Sequence, residues 1–173
     1  MLRRISFLVA LIFLSTDSFA KTSIAEIGDL FEGMVPAYAF GMAVGKRDWE
    51  GAKQFGYSFG ASQATVHGLK AFVDAERPDG SDNKSFPSGH TAMAFTGATF
   101  IHKRYGLQSA VVPYLMAGFT GYSRVYADKH YWHDVVAGAA ISSLFTWIFV
   151  DKYSNLQVSA SPDSVKIRVR IEL

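Results

Sequence analysis

The chain has no cysteine. That excludes a disulfide framework and any thiolate metal site, so a packed core has to hold the fold. Charge is scarce as well: Asp, Glu, Lys and Arg make up 18% of the residues, against about 25% in ordinary soluble domains. The net charge is only +2, and the cations are scattered instead of forming a stripe, which argues against a nucleic-acid partner. There is no low-complexity tract and no internal repeat, which excludes solenoid architectures. Past the first twenty residues, most uncharged runs fall short of the roughly 20 residues that a membrane span prefers.

What the chain does have is apolar and small residues: 49% hydrophobic, with 14 Phe and 15 Gly. At 173 residues it is one domain with a real core. Its start, "MLRRISFLVALIFLSTDSFA", carries Arg3 and Arg4, an apolar stretch from Ile5 to Leu14, and Ser18 and Ala20 before Lys21. This is the pattern of a secretory signal over residues 1–20, and it places the mature chain in the cell envelope. Retained, the same segment would serve as a first membrane span.

Residues 21–153 hold five uncharged runs, read as helices: Gly33 to Gly45, Gln54 to Leu69, Pro87 to His102, Tyr105 to Ser123 and Val135 to Val150. The expected class is an all-α helical bundle, and its small residues allow close helix approach in lipid or in water. If the helices alternate up and down, Lys70, Pro87 to His90 and Arg124 to Asp134 gather at one end. Lys46, Arg47, Lys103, Arg104 and Lys152 gather at the other. In the tail, 154–173, Val165, Ile167, Val169 and Ile171 alternate with charged residues, the period of a strand, and a small β-hairpin is expected there.

Three short segments at the first end carry chemistry. "KAFVDAERP" sets Lys70 and Arg77 where a helix gives way to a loop, and Arg77 has the forked geometry for a dianion. "PSGH" reads as a helix start capped by Ser88; the amides around Gly89 suit a phosphate, and His90 suits a general acid. "SRVYADKHYWHD" supplies Arg124, His130 and Asp134. If a helix begins there, the i, i+4 spacing lets Asp134 bond one ring nitrogen of His130 and leave the other free to attack. Each segment also has an ordinary structural reading, as dipole-compensating cations, a helix cap or a surface pair.

Taken in order, Lys-x6-Arg-Pro, Pro-Ser-Gly-His and Ser-Arg-x5-His-x3-Asp resemble the signature of the type 2 phosphatidic acid phosphatase (PAP2) family, which shares its site with vanadium-dependent haloperoxidases. The resemblance spans about residues 34 to 151. It implies a helical bundle that removes phosphate from a monoester or pyrophosphate with no metal and no cofactor. Carried over by position, it makes His130 the nucleophile that forms a phosphohistidine, Asp134 its partner and His90 the acid. Lys70, Arg77, Ser88, Gly89 and Arg124 become the phosphate cradle.

The implied substrate is a phosphorylated lipid of the envelope, with membrane association and a site facing the periplasm. The alternative is a small phosphomonoester handled by a soluble periplasmic acid phosphatase. A haloperoxidase would be small at this length, and a phosphate-binding protein without turnover gains nothing from a chain in which every catalytic position is filled. His133 and Asp128 are read as solvated loop residues instead of metal ligands, and His67 and His102 as packed. Asp79 and Asp82 are read as solvating the first loop.

Overall fold

The computed structural model describes the backbone of residues 2–161 and 164–171 and the side chains of residues 23–153. Five helices follow one another: α1 (Leu2–Gly45), α2 (Trp49–Phe72), α3 (Gly89–Tyr105), α4 (Leu107–Tyr126) and α5 (Trp132–Phe149). Strands β1 (Ser154–Ser161) and β2 (Ser164–Ile171) pair antiparallel, with Val158 opposite Ile167. Their side chains, and those of the residues read as an export signal, lie outside the described residues.

Helix α3 is the hub and packs on the other four. Its sequence explains why. Ala92, Ala94, Ala98, Phe100 and Ile101 are fully buried, and at Gly97 an added Cβ would lie 2.8–2.9 Å from the backbone of Val35 and Pro36 in α1. Only a residue without a side chain lets these two helices approach so closely. At Gly138 of α5 an added Cβ would run into the carbonyl of Ser88. That contact clamps the start of α5 against the start of α3, where two of the three motifs lie.

The helix ends follow local chemistry. Asp48 caps α2 by accepting from the Gly51 N–H at 2.9 Å. Ser88 caps α3, its Oγ accepting from the Thr91 N–H. Gly106, at φ 97°, turns the chain from α3 into α4 in a conformation that favours glycine. Helix α5 starts where Asp134 Oδ2 reaches back to the Tyr131 N–H at 2.9 Å.

Several boundaries differ from the sequence expectation. Helix α2 starts at Trp49 because Asp48 caps it, although its first turn is charged. Helix α3 continues through Lys103 and Arg104, which the sequence suggests as a break. Arg104 is buried there, paired with Asp48. Helix α1 extends well ahead of Gly33, carrying Asp29 and Glu32 into the bundle.

Candidate active site

The alternating helices bring the end of α2, the start of α3, the end of α4 and the start of α5 together. The α2–α3 loop folds over this end: Ala75 N–H donates to the Asn83 carbonyl at 3.2 Å, and Ser85 N–H to that of Ala75 at 2.9 Å. Asp82 is not simply solvated, since it accepts from Arg77 Nε at 2.7 Å and from the Lys84 N–H at 2.7 Å. Asp79 pairs with Lys129 at 2.5 Å and pins this loop to the turn before α5.

A cavity of about 190 Å³ opens among these elements, lined by Lys70, Arg77, Gly89, His90 and His130, with Glu32, Gln63, His67 and Met93 completing the wall. Five of the eight residues read from the motifs therefore meet around one space. His130 is 2% exposed and Asp134 is fully buried. His130 Nδ1 lies 3.5 Å from Asp134 Oδ2, which also accepts from Ser85 Oγ at 2.5 Å. The long imidazole contact is of the kind that tightens when substrate is bound. The pair meets at a helix start instead of on a helix face, because His130 precedes α5 and Asp134 bends back from its first turn.

The other ring nitrogen of His130, Nε2, points toward Arg77 Nη1 at 3.4 Å. Burial, then the charges of Arg77 and Lys70, push His130 down to about 4, with Asp134 opposing them. At neutral pH the ring is uncharged and keeps a lone pair for attack. Burial and the nearby Arg77 bring Lys70 down to about 8, which leaves it mostly cationic at pH 7. Lys70 Nζ donates to the Lys84 carbonyl at 2.6 Å, and Arg77 Nη1 to that of Lys129 at 3.0 Å, so both cations are held in place.

At the start of α3, Ser88 Oγ takes the Thr91 N–H and the Ser88 carbonyl takes that of Ala92 at 3.1 Å. Ser88 is wholly buried and its own N–H donates to the Asp134 carbonyl at 3.0 Å. Among the described residues nothing accepts from the N–H groups of Gly89 and His90, which open the helix where an anion is favoured. A Cβ at Gly89 would meet only ordinary contacts, Val66 at 3.8 Å and Lys70 at 4.0 Å. The packing of the fold does not demand glycine there, and the residue lies on the cavity wall.

Arg124 is placed differently from the other cations. It is 5% exposed, donating from Nη1 to Asp29 at 2.6 Å, from Nη2 to the Ala25 carbonyl and from Nε to Ser123 Oγ at 3.1 Å. It reaches the His90 side of the site through Asp29, which lies 3.3 Å from His90 Nε2. Glu32 lies 3.0 Å from the same nitrogen. Asp29, Glu32 and Ser85 are outside the three motifs. The signal for the first two was a pair of carboxylates three residues apart, interrupting "EIGDLFEGMV".

Asp29, Glu32 and His90 also bring possible metal-ligand atoms within 4.8 Å of one another. Arg124 already occupies the shared Asp29 oxygen, and a guanidinium beside it opposes a second cation. His133 is exposed, stacks on Tyr131 with ring centroids 5.3 Å apart, and lies 3.0 Å from Asp134.

A buried carboxylate–imidazole pair thus faces two fixed cations and a helix N-terminus in a helical bundle, an arrangement whose chemistry suits a phosphate-like anion. The chain belongs to the PAP2 superfamily, which residues 51–157 match. It is 29% identical over 139 residues to a lipid A 4'-phosphatase of Helicobacter pylori, covering 74% of this chain and 70% of that protein. Over 71 residues it is 48% identical to a lipid A 1-phosphatase of Porphyromonas gingivalis, covering 39% of this chain but only 16% of that longer protein. Among solved structures, Aquifex aeolicus LpxE matches with a TM-score of 0.64 and 28% identity, covering 75% of this chain and 84% of that one.

Proposed function

We propose that this protein is a phosphatase that removes a phosphate from a phosphorylated lipid of the cell envelope through a phosphohistidine at His130. The observation that carries this is the geometry of that side chain: its Nδ1 faces Asp134 while its Nε2 faces Arg77 beside the cavity. Nε2 attacks phosphorus. Lys70, Arg77 and the α3 amides at Gly89 and His90 take the equatorial oxygens, with Ser88 fixing that helix start and Arg124 adding positive potential behind Asp29. His90 protonates the leaving oxygen, and water then cleaves the phosphohistidine. No step in this sequence requires a metal.

The lipid substrate is supported by the relatives named as lipid A phosphatases and by the surface of the bundle. Leu30, Val112, Leu115, Val136, Leu144 and Ile148 are all more than half exposed. An apolar groove of about 410 Å³ runs between α1 and α4, lined by Met34, Tyr38, Val112 and Met116 among others. Such a surface suits contact with acyl chains. Among the described residues no helix is long and apolar enough to cross a membrane. The N-terminal export pattern supports a place in the envelope with the site facing the periplasm.

The test is phosphate release, in chelator, from phosphatidate in detergent, a lipid A phosphate, a prenyl pyrophosphate and a chromogenic monoester, by the parent chain and by His130→Ala. Release by the parent that vanishes in the variant, strongest on a lipid, is the expected result. A preference for the small monoester would shift the substrate to a soluble one, and equal release by the variant would overturn the mechanism.

A further inference from the structure

Granting the phosphatase activity proposed above, the acid side of the site contains more than His90. Its Nε2 is bracketed by two carboxylates of α1, Glu32 Oε2 at 3.0 Å and Asp29 Oδ1 at 3.3 Å. They are not equivalent. Asp29 is half exposed and already pairs with Arg124 at 2.6 Å. The Glu32 side chain is only 17% exposed, and among the described residues His90 is its bonding partner.

The two histidines are thus tied in opposite senses. His130 gives Nδ1 to its carboxylate and keeps Nε2 for phosphorus; His90 gives Nε2 to Glu32, and among the described residues nothing bonds its Nδ1. An imidazole held by a carboxylate at one nitrogen and open at the other is built to pass a proton through the ring.

We propose that Glu32 is the proton reservoir of the general acid, a positioning residue that reloads His90 through Nε2. As the bond between phosphorus and the leaving oxygen breaks, that oxygen takes the proton from His90 Nδ1, and Nε2 takes the proton of the Glu32 carboxyl. The imidazole is neutral before and after, with its tautomer exchanged, and Glu32 is left as a carboxylate. In the second half, water gives a proton to Nδ1 while its oxygen bonds phosphorus. The bond to His130 Nε2 breaks with its electron pair returning to that nitrogen, and the His90 Nε2 proton returns to Glu32.

The surroundings favour this division of labour. Facing the pair are Asp29 from α1, His67 and Lys70 from α2, Arg77 from the loop, Arg124 from α4 and His130 from the turn before α5. Burial, and then the Asp29 charge, push the Glu32 carboxyl up to about 7, against the pull of Arg124. Burial, and then the charge of Arg124, push His90 down to about 4. Between about pH 4 and 7 the proton therefore rests on Glu32 and not on His90, and the site avoids adding an imidazolium to three cations.

Glu32→Gln tests this with two substrates, an alkyl phosphate whose leaving oxygen needs a proton and p-nitrophenyl phosphate, whose leaving group does not. The variant is expected to lose about 10²-fold in kcat/KM, which reports phosphoryl transfer to His130 and not the later hydrolysis, on the alkyl substrate and less than about threefold on the aryl one. The alkaline fall of kcat/KM on the alkyl substrate, near pH 7 in the parent, should also disappear, and Glu32→Asp should recover part of the rate. Equal losses on both substrates, or no loss on either, while His130→Ala is inactive on both, would overturn the relay and leave the phosphatase standing. Activity surviving in His130→Ala would bring down both.

Discussion

The bundle has a buried arginine paired with an aspartate at each end, and the two pairs do different work. At the end away from the site, Arg104 donates twice to Asp48, at 2.8 and 2.6 Å. Asp48 also accepts from Tyr105 at 2.7 Å and from the Gly51 N–H at 2.9 Å, while Arg104 Nη1 reaches the Asp151 carbonyl at 2.9 Å. The Asp48 side chain is 3% exposed, and the cluster ties the α1–α2 turn to the end of α3 and the exit of α5. At the site end, Arg124 holds Asp29, whose side chain is 51% exposed and shares its oxygen with His90. A saturated pair is a clasp, whereas a pair with an open, shared carboxylate leaves chemistry to be done.

Asp48→Asn should show the clasp most strongly. Removing one partner of a buried pair costs about 3–5 kcal/mol, so the variant should lose that much in denaturant melts while its folded fraction keeps the parent kcat/KM. Burial alone would raise the Asp48 carboxyl; the bonds from Arg104, Gly51 and Tyr105 outweigh it and hold it below the ordinary carboxylate range. Its stabilisation is therefore present above the unfolded-state value of about 3.9 and is lost as pH falls through the lower folded value. A normal melt for Asp48→Asn would erase the distinction between the two ends.

Two glycines sharpen the same contrast. Gly138→Ala forces a methyl into the Ser88 carbonyl and should cost about 1–3 kcal/mol of stability, read as a lower melting temperature. Gly89→Ala meets no close atom, so its melt should match the parent. Inhibition by inorganic phosphate should nevertheless weaken about tenfold, because the added methyl on the cavity wall holds phosphate off one charge-assisted bond to an amide that is itself retained. If Gly89→Ala melted low with phosphate inhibition intact, its glycine would be structural after all.

The smallest effect is in the acid limb of the pH profile. A free imidazole titrates near about 6.5, but burial and the charges of Arg77 and Lys70 bring His130 to about 4. With the substrate's own titration divided out, kcat/KM should hold from neutral pH down to about 4 and fall only below it, as the nucleophile gains a proton. A fall centred on pH 6 to 7 would mean that the ring is not buried among cations.

The helical bundle and the gathering of three motifs at one end were legible in the sequence, because apolar runs and connecting segments fix the alternation of helices. His130 and Asp134 were legible as a pair, although through a helix start instead of a helix face. Arg104 was not: two adjacent cations after an apolar run read only as positive charge at the end away from the motifs, and nothing local reveals that Asp48, 56 residues earlier, faces one of them. Asp29 and Glu32 escaped for a related reason. They sit ahead of the first expected helix and outside every motif, and only the packing of α1 on α3 and α4 brings them to His90 and Arg124.

The central claim is that phosphate passes through His130, and trapping that species tests it most directly. Parent protein mixed briefly with labelled substrate and quenched in alkali should carry one phosphoryl group on the peptide containing His130, removed by mild acid and absent from His130→Ala. Turnover without a labelled peptide, or label on another residue, would contradict the account.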